Sequence, residues 1–187
     1  MTFLFNKNNH FNLANIVTFF NITAGVLAIY FITHQEFFGA ALFAWLAGAF
    51  DILDGKIARK FNLSTEFGVQ LDSFGDFLSF VIVPVMFIYF GIIDGKELTV
   101  LNTTFVAFTF VYYVISGLRR LIQFNINTDA GEVSKYFTGI PTPLGAILLW
   151  CIYLLWTYSI ITNENIILLL VIVIGYLLNS KLKIPHP

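Results

Sequence analysis

An all-α polytopic membrane protein is the fold class this chain predicts, and three observations predict it. Hydrophobic residues make up 58% of its 187 residues and charged residues only 11%. Mean hydropathy is +0.81, far from the composition of soluble globular domains. Six apolar stretches, each near the ~20 residues a bilayer requires, are separated by segments with turn chemistry.

The elements follow in order. Ahead of the first span, MTFLFNKNNHF mixes Phe3, Leu4, Phe5 and Phe11 with polar neighbours, which leaves two alternatives, a short N-terminal interfacial helix or a frayed terminus. The first span is expected at about 14–33; it is long enough to cross and lacks the small-residue cleavage site of a secretory signal. THQE separates it from a second span over 37–59, KFNLST leads to a third over 67–92, and IDGKE to a fourth over 98–124. NINTDAGEVSKYFTGIPTP, rich in residues that helices avoid, precedes the fifth at 142–161, and TNEN precedes the sixth at 164–180. No repeat or soluble segment interrupts the series, so residues 1–187 read as a single membrane domain.

Charge sets the expected orientation. If the six spans alternate, Lys7, Arg59, Lys60, Lys135, Lys181 and Lys183 fall on one side and Lys96 on the other, which puts both termini in the cytoplasm. A net charge of −1 with no basic run beyond Arg59-Lys60 and Arg119-Arg120 gives no footprint for nucleic acid. Cys151 is the sole cysteine, so no intramolecular disulfide forms and no thiolate metal site is indicated. His10, His34 and His186 read as solvated, and Arg119 as snorkelling to the interface.

Four carboxylates stand against this apolar background. Asp51 and Asp54 lie in the second span, Asp72 and Asp76 in the third, and an ionised group at bilayer depth costs at least about 2.5–3.5 kcal/mol on insertion scales. Something cationic is expected among them. Asp51, Asp54, Gly55, Ala58 and Arg59 share one helical face, and Gly68, Asp72 and Asp76 follow at intervals of four on the next helix. A turn near Leu63 brings Asp51 level with Asp76, Asp54 with Asp72 and Ala58 with Gly68. Such a cage favours hard divalent cations, Mg2+ or Mn2+, which take oxygen ligands and bind together with substrate phosphates. Four carboxylates suffice for two ions, the small residues leave room for a substrate, and Arg59 adds a fork of donors for its phosphates. That assembly suits phosphoryl transfer.

The window Asp51-x2-Asp54-Gly55-x2-Ala58-Arg59-x8-Gly68-x3-Asp72-x3-Asp76 resembles throughout the signature of the CDP-alcohol phosphatidyltransferase family, with eight specified positions in 26 residues. The resemblance implies six transmembrane helices, a homodimer, and transfer of a phosphatidyl group from a CDP-lipid to an alcohol with release of CMP. It further implies that Asp51, Asp54 and Asp72 ligate the two cations, while Asp76 ligates one and serves as general base.

The first span is similar to that of the members that use L-serine. Asn15, Thr18, Asn21 and Gly25 fall within a ~120° arc of one face, so Asn15 and Thr18 are expected at the CDP-lipid and Asn21 at the acceptor or a phosphate. Interhelical hydrogen bonding is the alternative for these amides. Arg120-Leu121-Ile122-Gln123-Phe124-Asn125 and Phe137-Thr138-Gly139-Ile140-Pro141 resemble a second pattern of those members, with Gln123 in place of an arginine. Arg120 and Lys135 remain to receive a carboxylate or phosphate.

The expected protein is thus a multi-pass cell-membrane enzyme of phospholipid biosynthesis. Its active site faces the cytoplasm, and it joins L-serine to CDP-diacylglycerol or an ether-linked analogue. Within the family the rival acceptors are glycerol 3-phosphate and inositol phosphate, which call for more cations than Arg120 and Lys135 supply. Membrane prenyltransferases carry their aspartate motifs in separate parts of the chain, unlike this single hairpin. A cation transporter, with carboxylates lining an ion path, is the non-enzymatic alternative.

Overall fold

The computed structural model describes residues 3–97, 99–129, 136–181 and 183–185. Seven α-helices carry the described fold: α1 (Leu13–Thr33), α2 (Phe37–Lys60), α3 (Glu66–Asp76), α4 (Val83–Ile88), α5 (Val100–Asp129), α6 (Thr142–Thr157) and α7 (Glu164–Leu178). Two π-helical segments, Phe77–Ile82 and Tyr89–Ile93, flank α4, so that Glu66–Ile93 is one continuous helical stretch. Two three-residue strands, β1 (Tyr136–Thr138) and β2 (Lys183–Pro185), pair antiparallel with Phe137 opposite Ile184. Four helices are long and apolar enough to cross a membrane: Leu13–Thr33, Phe37–Lys60, Glu66–Ile93 and Val100–Ile126; α6 and α7 are apolar but shorter.

Several expected boundaries shift. Residues 3–12 form successive turns in place of an interfacial helix, because asparagine side chains capture the backbone there: Asn8 N donates to Asn6 Oδ1 and Phe11 N to Asn9 Oδ1, both at 3.0 Å. α5 runs on to Asp129, since nothing before Gly131 forbids helix. α6 stops at Thr157, where Ser159 takes a left-handed φ of 55°.

The chain divides into two compact units, Met1–Ser79 and Phe80–Pro187. In the first, α1 packs along α2 and against α3. Alanines make the α1 and α2 faces small: Ala24 and Ala28 on one, Ala40, Ala44 and Ala47 on the other, all buried, as close helix packing in membranes favours. Phe31 stacks on Phe43 at 5.3 Å, and Phe20 meets Phe50 at 5.7 Å, fixing the two helices as antiparallel.

In the second unit, α5 and α7 pack together, with α6 against α7 and α4. Phe87 is its aromatic centre, 4.3 Å from Trp150 and 4.7 Å from Tyr153. Gly175 lets Tyr112 approach, since a Cβ there would lie 2.9 Å from the ring, and Asn179 Nδ2 donates to Ser116 O at 3.0 Å. Lys96 pairs with Glu164 and lies over the Trp156 ring.

Candidate active site

The turn between α2 and α3 is built by three local devices. α2 ends with Leu63 N donating to Ala58 O at 2.9 Å around Asn62, whose φ of 54° is the left-handed conformation that closes a helix in this way. Leu63 then buries its side chain. Thr65 caps α3, accepting from Gly68 N at 3.0 Å. Five residues therefore reverse the chain and hold α2 and α3 in register.

That register gathers carboxylates. Asp51, Asp72 and Asp76 each offer an oxygen within 4.8 Å of the others, and all three are half-buried. Asp54 is only 4% exposed and is not one of that trio. Asp54 Oδ2 and Asp76 Oδ1 are buried without a hydrogen-bond partner. Among the described residues no salt bridge reaches these acids directly, and Arg59 is the cation that shares the cavity with Asp54 and Asp72. Ionised carboxylates only accept hydrogen bonds; three converging carboxylates, with a buried partnerless oxygen on Asp76, are a donor set for a hard cation. The residues present fit a divalent metal.

Beside the acids lies a cavity of about 200 Å3. Asn15 and Thr18 of α1 line it with Asp54, Gly55, Ala58 and Arg59 of α2, Ser64 and Thr65 of the turn, and Gly68 and Asp72 of α3. Arg59 folds back over the bare Cα of Gly55, where a Cβ would lie 3.4 Å from Nη1. Gly68 admits Asn15 in the same way, with a Cβ there only 2.9 Å from Asn15 Oδ1. Asn15 is itself held, its Nδ2 donating to His10 O and its backbone N to the capping Asn12 Oδ1, both at 3.0 Å. His10 is exposed but stacks on Phe67 at 4.4 Å.

Sequence-predicted site residues thus divide by location. Gly55, Ala58, Arg59, Gly68, Asn15 and Thr18 share the cavity with Asp54 and Asp72. Asn21 is not among its lining residues; it faces Asp51 and Ser79 instead. Arg120, in the second unit, is buried and donates from Nε to Ile140 O at 3.2 Å. Lys135 lies outside the described residues. Gly75 and Ser79, which pack on Asn21, escape a reading of spacing alone, although both continue the small-residue face begun at Gly68.

Comparison with known proteins finds a matching family and several relatives. The profile of the CDP-alcohol phosphatidyltransferase family matches residues 11–177, a span that includes every described site residue named above except His10. The chain is 33% identical over 176 residues to the CDP-diacylglycerol–serine O-phosphatidyltransferase of Bacillus subtilis, covering 91% of this chain and 88% of that one. It is 30% identical over 176 residues to the archaetidylserine synthase of Methanothermobacter thermautotrophicus, covering 93% and 70%. With the CDP-diacylglycerol–serine O-phosphatidyltransferase of Helicobacter pylori it shares 29% identity over 177 residues, covering 92% and 71%.

Proposed function

Because the chain belongs to the CDP-alcohol phosphatidyltransferase family, we propose that it transfers the phosphatidyl group of a CDP-lipid to the hydroxyl of L-serine, giving a phosphatidylserine-type lipid and CMP. The observation that carries this reading is the meeting in one cavity of Asn15 and Thr18 with Asp54, Gly55, Arg59, Gly68 and Asp72. The serine-using relatives support the acceptor.

Each residue has a task in this reaction. Gly55, Ala58 and Gly68 keep side chains out of the space the nucleotide takes, and Asn15 and Thr18 bound it from α1. Arg59 presents its guanidinium fork to the diphosphate. Asp51, Asp54, Asp72 and Asp76 would hold two divalent cations, Mg2+ or Mn2+, which would supply positive charge for the diphosphate and for departing CMP. The serine hydroxyl oxygen attacks the phosphatidyl phosphorus, the bond from that phosphorus to the bridging oxygen of CMP breaks, and Asp76 takes the hydroxyl proton. Arg120, together with Lys135, is assigned to the serine carboxylate or a lipid phosphate.

The proposal extends to setting. The whole chain acts as one domain with six spans, both termini and the active site face the cytoplasm as the lysine and arginine distribution favours, and the enzyme works as a homodimer. The reaction is tested with purified protein, CDP-diacylglycerol and one acceptor at a time. CMP release should require L-serine and stop on chelation; release only with glycerol 3-phosphate would overturn the serine assignment.

A further inference from the structure

Polar side chains of one helix sit against bare backbone of another along a seam between α1 and α3. A Cβ on Gly75 would lie 3.0 Å from Asn21 Nδ2, and one on Gly25 3.0 Å from Ser79 Oγ. Around Asn21 the contacts link into a chain. Ser79 Oγ donates to Asn21 Oδ1 at 2.7 Å, and Asn21 Nδ2 points at Asp51 Oδ1 at 3.5 Å, a long contact. Asn21 is 0% exposed and Ser79 3%, so bulk water does not compete for either group.

Ser79 behaves unlike the neighbouring hydroxyls. Thr18, Thr23 and Ser73 donate to the carbonyl four residues back in their own helices, the usual choice for such side chains. Ser79 donates across to α1 instead, from the π-helical segment that begins directly after Asp76. Helical irregularities of this kind are frequent at functional sites.

The direction of the amide is what matters. An ionised Asp51 accepts and never donates, so Asn21 must turn its NH2 toward it. Were the amide flipped, two oxygens would face each other. The Ser79 hydroxyl can donate or accept, so the carboxylate sets the direction of the amide; with the NH2 turned to Asp51, Ser79 donates to the Oδ1 left on the other side and anchors the amide there, and the bare Cα of Gly75 leaves room for Nδ2. The amide faces one oxygen of Asp51 at 3.5 Å, and Asp51 also offers an oxygen within 4.8 Å of Asp72 and Asp76.

We infer that Ser79 and Asn21 form a positioning relay that orients Asp51 for cation binding. The inference rests on the metal-dependent reading above and assigns these two residues to Asp51, not to the substrate. Outer partners of this sort typically contribute 10–100-fold to metal affinity.

The test is Mn2+ binding to the purified full-length protein without substrate, followed by electron paramagnetic resonance. Ser79→Ala removes a single oxygen and should weaken Mn2+ binding roughly 10-fold, with turnover recovering at saturating Mn2+. Gly75→Ala, which pushes a methyl against Nδ2, should act in the same direction. The unfolding midpoint measured in chelator is the control, because a merely structural role would move that midpoint and leave Mn2+ affinity alone. Unchanged Mn2+ affinity in both variants overturns the relay while the metal site stands. Absence of Mn2+ binding in the unaltered protein overturns the metal-dependent reading itself, and the relay with it.

Discussion

Asp76 ends α3 where the helix loosens into its π-helical segment, with one carboxylate oxygen buried and partnerless. An asparagine there keeps the shape but cannot take a proton from an alcohol. Asp76→Asn is expected to lower CMP release by at least ~10²–10⁴-fold, the usual worth of a positioned base, while equilibrium binding of the CDP-lipid largely persists. Turnover unchanged in that variant would remove Asp76 from the chemistry. Arg59 acts earlier, on binding. Its guanidinium lies over Gly55 at the cavity wall, so Arg59→Ala should raise KM for the CDP-lipid and lower kcat together, with Arg59→Lys recovering little because an ammonium lacks the planar fork. These residues are legible in the sequence because a single tight turn fixes their register: intervals of three and four choose the face, and distance from Leu63 chooses the depth. The same rule places Asp54 level with Asp72, and both line the cavity, yet the converging trio is Asp51, Asp72 and Asp76. Gly75 and Ser79 are not legible in this way. Their partner, Asn21, lies on a helix whose rotation against α3 no local spacing specifies.

At the scale of elements, the α2–α3 hairpin depends on its turn. The Thr65 hydroxyl accepts from Gly68 N, and Gly68 is the residue whose missing side chain admits Asn15. Thr65→Ala leaves an N–H at the start of α3 uncapped, a loss of about 1 kcal/mol in typical helices. The expected outcome is a modestly lower unfolding midpoint with a raised KM for the CDP-lipid, because Gly68 and Thr65 both line the cavity. A fall in stability with KM unchanged would show that the cap serves the helix alone. Helix positions are legible because apolar runs near bilayer length are bounded by Gly, Pro, Asn and Asp, and the start of α2 at Phe37 and of α6 at Thr142 follow directly. What escapes is decided by finer competition. Asparagines in the first twelve residues prefer to cap their own backbone, which turns a segment of helical apolar content into linked turns. The π-helical segments on either side of α4 carry no local signature; in the first of them Ser79 donates across to Asn21 of α1, a contact that no spacing within its own helix announces.

For the whole molecule, the outward surface is apolar to a degree only lipid accommodates: Phe38 is 86% exposed, Leu101 78% and Trp45 62%. Composition alone announces this class, but orientation and span number rest on few charges and on the two short helices. α6 and α7, at 16 and 15 residues, reach roughly 23 Å against a hydrocarbon core of about 30 Å, so a six-span reading needs them to cross with help from flanking residues or a locally thinner bilayer. Cysteine labelling decides it. Cys151 is the sole cysteine and is exposed on the apolar helix α6, so Cys151→Ser should leave CMP release intact and supply a thiol-free background. Into it go Lys60→Cys, Glu97→Cys and Thr162→Cys, one at a time, each at an exposed position beside a helix end. A membrane-impermeant maleimide applied to intact cells should modify the thiols at 97 and 162, and reach the one at 60 only in inside-out vesicles. Reversed labelling at 60 and 97 would turn the active site outward, away from a cytoplasmic nucleotide supply. Labelling at 162 that matched 60 would mean that α6 and α7 enter and leave by the same face, which leaves four crossings. Only the pattern with 60 alone on the inner side fits both six spans and a carboxylate cup whose hairpin turn opens to the cytoplasm.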